Sequence, residues 1–212
     1  MKIAICIKQV PDSWAEKKMA AGVLDRASVD AVLNDLDEYA VEEALRIVEA
    51  NSPTKEAGEA SGHSITLISM GPERATEAIR KALSMGADDA ILVNDPALAG
   101  SDALATSLVL AAVIKKGNYD LVLCGTESTD ARMSVIPAMI SQRLGWAQLT
   151  FAGKVAVNPA TTTVEIERVT EFGNQVMSAK FPALLSVIEK INEPRYPSFK
   201  GIMAAKKKPI TT

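Results

Sequence analysis

Up to Gly145 the chain alternates apolar runs of strand length with helix-period patterns. That alternation restricts the fold to a parallel sheet covered by helices on both faces. The strand-like runs are 2–7, 63–70, 89–93 and 121–125. Helical patterns follow them, beginning near 34, 72, 101 and 136. In the first, Val41, Ala44, Leu45 and Val48 share a face, with Asp37 and Glu38 in the first turn where the helix dipole favours acids. In the second, Pro72 stands at the tolerated first position, Ala75, Ile79, Ala82 and Leu83 face inward, and Gly86 ends the helix.

The fourth unit is the most informative. Leu121-Val122-Leu123-Cys124 breaks at Gly125 into polar residues, Thr126 to Asp130, before Ile136, Ile140 and Leu144 mark a helix face. Ligands collect at the carboxyl ends of parallel strands, and helix N-termini favour anions, so the stretch suits a nucleotide phosphate or ribose. Gly125 permits close approach; Thr126, Ser128, Thr129 and Ser134 offer hydroxyls; Asp130 is placed either to bond a ribose or to cap the helix. Pro137 inside the helical pattern delays the helix and leaves 126–136 a long loop. An ordinary strand–loop–helix connection has the same pattern, and this stretch alone leaves both readings open.

Composition narrows the function classes. A chain of 212 residues, 48% hydrophobic, can bury a substantial core. A net charge of −3 and 4% aromatics argue against nucleic acid as a partner. The apolar stretch 103–114 is too short to span a bilayer, and the first strand begins at once, with no room for a signal peptide. The expectation is a cytoplasmic protein without membrane insertion. One histidine, His63, makes a metal cluster or histidine-based triad implausible. Two cysteines, Cys6 and Cys124, lack CxxC spacing. Both fall near strand ends, on one rim, where small buried residues are the commoner reading than a redox pair. Neither GxSxG, GxGxxG nor GxxxxGK[ST] occurs. A nucleotide-shaped crevice without a catalytic constellation points to a binding or carrier subunit rather than an enzyme.

Other segments read less regularly. Val10-Pro11-Asp12 stops the first strand, and 12–33 is mixed, with a run at 23–33 that suits a strand or a hairpin. Residues 52–62, small and charged, are expected as a surface loop. After Trp146 the runs 150–157, 162–169 and 175–180 are joined by short turns, which implies antiparallel hairpins appended to the sheet. The run 181–187 then returns. Residues 192–208 form a proline-stiffened loop and a short basic helix. The expected organisation is a single domain of three parts: 1–145 parallel α/β and Rossmann-like, 146–190 hairpins and returning strand, 191–212 loop and basic helix.

Several pieces in order resemble the bacterial electron transfer flavoprotein β subunit. They are Ile7-Lys8-Gln9-Val10-Pro11-Asp12, Asn34 with Ala40-Val41-Glu42-Glu43-Ala44-Leu45, Ala82-Leu83-Ser84-Met85-Gly86-Ala87-Asp88, the loop Gly125 to Asp130, Pro182-Ala183, and Asn192-Glu193-Pro194-Arg195-Tyr196-Pro197 with Gly201-Ile202-Met203-Ala204-Ala205-Lys206-Lys207-Lys208. The last is the most specific. The resemblance implies a non-catalytic subunit in a heterodimer whose α subunit carries FAD. Flavin dehydrogenases, such as acyl-CoA dehydrogenases, would donate electrons that pass to a quinone-reducing oxidoreductase. It also implies a structural AMP held by Cys6, Asn34, Asp35, Leu36, Asp37, Met70, Gly125, Thr126, Ser128, Thr129, Asp130, Arg132, Met133, Ser134 and Val135. Ser13 and Trp14 would lie near the partner's flavin. Tyr196, Pro197, Phe199, Ile202, Met203 and Lys206 would form the dehydrogenase recognition loop, with Phe199 as anchor. Two departures stand out. Ala131-Arg132-Met133-Ser134-Val135-Ile136 replaces the small acidic stretch of many relatives, and relatives usually continue beyond the position of Thr212 as an arm. Two other functions compete: a small adenine-nucleotide-binding stress or signalling protein, and a bifurcating flavoprotein subunit with FAD in the AMP crevice.

Overall fold

The computed structural model describes residues 1–52 and 62–212; the loop expected at 52–62 falls largely outside them. In chain order the strands and helices are β1 (Lys2–Cys6), β2 (Gln9–Pro11), β3 (Met19–Ala20), β4 (Val23–Leu24), β5 (Ala31–Leu33), α1 (Asp35–Ala50), β6 (Ser64–Met70), α2 (Thr76–Met85), β7 (Asp89–Val93), α3 (Ala103–Gly117), β8 (Leu121–Gly125), α4 (Ile136–Leu144), β9 (Ala147–Asn158), β10 (Thr163–Thr170), β11 (Gly173–Lys180), β12 (Ala183–Val187), α5 (Phe199–Ala205) and β13 (Ile210–Thr211).

Nine of these strands form one sheet in the order β11-β10-β9-β12-β8-β1-β6-β7-β13. From β9 to β13 every neighbouring pair is parallel, and β10 and β11 continue it antiparallel. The α/β fold expected from the alternation is therefore present, with one change. The hairpins are not a separate appendage but the edge of the same sheet, because β12 returns between β9 and β8 and stitches them in.

Alternation along β1 shows how the two faces fill. Ile3 and Ile5 point into the larger core with Val41 and Ala44 of α1 and Ile79 and Leu83 of α2. Ala4 and Cys6 point the other way, among Leu110 and Ile114 of α3 and Ile140 of α4. Strands buried on both faces need apolar residues at every position, as β8 has.

Local signals explain most boundaries. Asp102 caps α3, its carboxylate accepting from Ala105 N at 2.8 Å. Asn118 leaves that helix in the left-handed conformation. Pro137 sits in the first turn of α4, where a missing N–H is harmless, so 126–135 is a loop as expected.

Three expectations are corrected. Val10-Pro11 does not end strand structure: Gln9–Pro11 pairs with Ala31–Leu33 and closes the base of an excursion. Within that excursion β3 and β4 make a two-residue ladder, so the run 23–33 is divided between two strands in different sheets. Pro72 precedes a single 3₁₀ turn, Glu73–Ala75, rather than opening the α-helix.

Candidate functional site

The connections after β1 and β8, neighbouring parallel strands, diverge. β1 leads through the 12–30 excursion to α1 on one face, while β8 leads through 126–135 to α4 on the other. Their carboxyl ends thus frame the crevice where a doubly wound sheet receives a ligand.

Residues at the start of α1 shape the loop beyond β8. Asn34 is fully buried and holds the loop twice: its Nδ2 donates to Glu127 O at 2.9 Å, and its Oδ1 accepts from Thr129 N at 3.0 Å. Asn34 precedes α1 but its side chain serves the loop rather than capping the helix. Asp37, expected as a first-turn dipole partner, is instead buried, accepting from Lys8 N at 2.8 Å. Burial pushes its carboxyl up to about 7, against the lowering hydrogen bonds from Asn34, Lys8 and Gly125. Gly125 admits this packing: a Cβ there would lie 2.7 Å from both Asp37 Oδ1 and the Leu36 carbonyl oxygen. The close approach read from Gly125 is real, and its partner is α1. Thr126 Oγ1 donates to Val187 O at 2.7 Å, fastening the loop to β12.

Asp130 is an ion-pair hub. Its side chain is wholly buried; Oδ1 accepts from Lys8 Nζ at 2.8 Å, and Oδ2 from Arg26 Nη2 at 2.7 Å and Nε at 3.1 Å. Burial alone would raise this carboxyl, but the bonds from Lys8 and Arg26 outweigh it and hold it down at about 2. Asp130 does not cap α4, which begins six residues later. Lys8 and Arg26, which carried no expectation as site residues, both pair with Asp130 at the strand ends. Lys8 Nζ uses two of its three donors among the described residues, on Asp130 and on Ser128 Oγ at 3.3 Å. Among the described residues Arg26 Nη1 carries no bond. Spare cationic donors at a strand switch point fit the phosphate of a nucleotide.

The second half of the loop is more open. Ala131, Arg132 and Met133 are exposed, and among the described residues Arg132 Nε reaches only Thr129 O, at 3.4 Å. Arg132 and Ser134 both have positive φ, 49° and 53°, a conformation that side chains disfavour. Ser134 Oγ donates to Glu127 Oε2 at 2.8 Å, bracing the turn into Val135 and α4. Met70, half-buried, ends β6 beside the crevice.

Cys6 and Cys124 stand opposite each other in register on β1 and β8, both buried. The Cys124 thiol is raised well above its ordinary value, first by its hydrogen bond with Cys6 and then by burial. That keeps Cys124 a protonated thiol, and both cysteines are small buried residues, the reading the sequence preferred.

Ser13 and Trp14 lie outside the crevice, on the excursion. Trp14 is 97% exposed, so it does not pack the 12–33 segment. It stands at the mouth of a cleft of about 460 Å³ that Ser13, Asp35, Glu38 and Lys81 also line.

Residues 192–208 form a strap fastened at both ends. Asn192 Nδ2 donates to Tyr39 O and Glu43 Oε2, and Arg195 binds Glu42 and Glu49, all on α1. At the far end Lys208 Nζ donates to Leu83 O, Gly86 O and Ala87 O at the end of α2, and Arg80 Nη1 donates to Ala205 O and Lys208 O. Ser198 caps α5 through Gly201 N at 3.0 Å. Gly201 is required there, since a Cβ would meet Ser84 O at 2.7 Å. Between the fastenings Tyr196, Phe199, Ile202 and Met203 are exposed, Phe199 by 80%. Pro197 and Lys206 border a groove of about 530 Å³ with Arg80 and Ile202.

Among the described residues no His, Cys, Asp and Glu group is arranged to hold a metal ion, and no helix is long and apolar enough to cross a membrane.

The family model described as the electron transfer flavoprotein domain matches residues 21–212. The electron transfer flavoprotein subunit beta of Mycobacterium tuberculosis is 50% identical over 212 residues, covering 99% of this chain and 77% of that protein. The protein of the same name from Megasphaera elsdenii is 38% identical over 219 residues, with the same coverage, 99% and 77%. Subunit CarD of the caffeyl-CoA reductase-Etf complex of Acetobacterium woodii is 37% identical over 213 residues, covering 100% of this chain and 77% of CarD.

Proposed function

This chain belongs to the electron transfer flavoprotein family as a β subunit, and on that premise we propose that it binds AMP as a structural ligand and docks dehydrogenases for a flavin carried by its α partner. As a β subunit it is an electron-transfer partner protein. The observation that carries the nucleotide reading is the crevice between β1 and β8, where Lys8 and Arg26 meet on Asp130 and keep donors to spare. In this reading Lys8, Arg26 and the backbone before α4 receive the phosphate. Cys6, Met70 and the loop from Gly125 to Val135 enclose the nucleoside, and Asn34 to Asp37 hold that loop in shape. AMP supplies no chemistry; it adds binding free energy to the folded state alone.

The redox group is FAD on the α subunit, beside which Trp14 and Ser13 are placed in this reading. The exposed strap suits a recognition element. A single anchoring ring at Phe199 with an apolar and basic surround gives a brief encounter with a flavin dehydrogenase, such as an acyl-CoA dehydrogenase. The reduced flavoprotein then passes electrons to a quinone-reducing oxidoreductase in the cytoplasm.

Nucleotide extraction tests the reading. The co-expressed α/β complex is denatured and its released nucleotides identified by mass. One AMP and one FAD per heterodimer are expected. Two FAD molecules without AMP would replace it with the bifurcating alternative, and absence of any adenine nucleotide beyond one FAD would overturn the crevice assignment.

A further inference from the structure

The excursion between β2 and β5 has little apolar anchorage. Most of residues 13–23 are exposed, and its base is closed by the β2–β5 ladder and Asp12 N donating to Asp30 O at 2.9 Å. Its interior is held by local polar contacts: the β3–β4 ladder, Asp25 N on Lys18 O at 2.9 Å, and the Asp25 carboxylate receiving Ala27 N and Ser28 N. Two arginines tie it to the body. Arg74 donates to the carbonyls of Arg26 and Ala27 at 3.3 Å each and of Val29 at 2.9 Å. Arg26 itself reaches across to Asp130, in the loop after β8. A second tie runs from Ser13 Oγ to Asp35 Oδ2 at 3.2 Å, next to Asn34, which grips Thr129 of the same loop. The excursion therefore touches the crevice loop directly at one point and through two intervening residues, Asp35 and Asn34, at another.

We propose that Arg26, beyond facing the phosphate, joins the crevice loop to the excursion, so that nucleotide occupancy is felt at the exposed Trp14. The proposal adds to the nucleotide reading above and, in its ligand arm, rests on it. The physical ground is the buried carboxylate of Asp130. Losing Arg26 leaves Asp130 with Lys8 as its one paired cation and strips both bonds from Oδ2, which loosens the loop's hold on the excursion. A segment held mainly by polar ties has low local stability, so its order follows the order of what it is tied to. A ligand that stiffens 126–135 then stiffens the excursion, and the coupling is reciprocal.

The test uses the Trp146→Phe chain, in which Trp14 is the sole tryptophan of the original two. Its residual fluorescence anisotropy reports the order of the excursion. Without nucleotide, Asp130→Asn and Arg26→Gln each lower the anisotropy, and the double variant lowers it no further than either alone. Saturating AMP raises it in the parent and fails to do so in Arg26→Gln at concentrations that fill the variant's site by equilibrium dialysis. Arg26→Lys recovers part of both effects, because a point charge replaces a two-handed contact. An anisotropy unmoved by Asp130→Asn, or two effects that simply add, overturns the proposal. A parent chain that binds no AMP defeats the crevice reading separately, and the nucleotide-free arm still decides the role of Arg26.

Discussion

The guanidinium of Arg195 closes on the carboxylate of Glu42 from two sides, Nε on Oε2 at 2.7 Å and Nη2 on Oε1 at 3.0 Å. Glu42 belongs to α1 and Arg195 to the strap, 153 residues away in sequence. Burial alone would raise Glu42, but the bonds from Arg195 outweigh it and lower its carboxyl, while Arg195 is raised by Glu42 and Glu49. A fork of two parallel bonds fixes direction as well as distance, so the pair fixes how the strap leaves α1.

Replacing Arg195 by Met removes that fork and leaves Glu42 largely buried without its cation. A loss of about 1–3 kcal/mol is expected in denaturant unfolding. Electron transfer from a dehydrogenase should slow as well, with flavin content and spectrum unchanged. Lysine should restore only part of the rate, since it lacks the planar fork. Unchanged stability in Arg195→Met would show that the strap is held by its other contacts.

Phe199 behaves oppositely. Its ring is 80% exposed and contributes little to the core. Phe199→Ala should change stability by no more than about 0.5 kcal/mol, as for surface sites generally. It should nevertheless raise the dehydrogenase concentration needed for half-maximal electron transfer. A stability loss of about 3–5 kcal/mol would instead mark Phe199 as a core residue. A normal concentration dependence would remove its anchoring role.

Asp37 gives the chain an uncommon pH response. Its folded value of about 7 lies above its ordinary 3.8. Between those values the folded chain keeps a proton that the unfolded chain has released, so stability falls as pH rises through this window and levels off above it. The slope is at most about 1.4 kcal/mol per pH unit. Asp130 acts in the other direction, but its contribution is complete above 3.8 and is lost only as pH falls toward about 2. Melting temperatures should therefore be higher near about pH 5.5 than near about pH 7.5. Asp37→Asn should flatten the difference at some cost in overall stability. A parent profile without a slope, or a slope that survives in the variant, contradicts this account.

How far the sequence could be read follows from where each signal resides. The parallel sheet was legible because strand and helix periods are local: β8 is apolar throughout, and Pro137 and Gly86 punctuate their helices within one turn. The strand–loop–helix break from Gly125 to Asp130 was legible for the same reason. Its wiring was not. Asp130 takes its partners from Lys8 and Arg26, 122 and 104 residues away, and an ion pair at that separation leaves no periodicity. Asp37 looked like a helix-dipole acid because its burial depends on β8 arriving beneath it. The pairing of Gln9–Pro11 with Ala31–Leu33 was missed because three residues are too few to show alternation. Lys8 could have been suspected, since a lysine directly after a buried strand stands at the crevice mouth.

The most direct test of the central claim is the unfolding midpoint of this chain as a function of AMP concentration. A structural AMP in the crevice should stabilise the fold by about 3–4 kcal/mol at a hundred- to thousandfold excess over its Kd, following RT ln(1 + [L]/Kd). Asp130→Ala should unfold at a lower midpoint without ligand and lose most of the AMP-dependent gain. A midpoint that ignores AMP, or one that rises with FAD but not with AMP, would contradict the account.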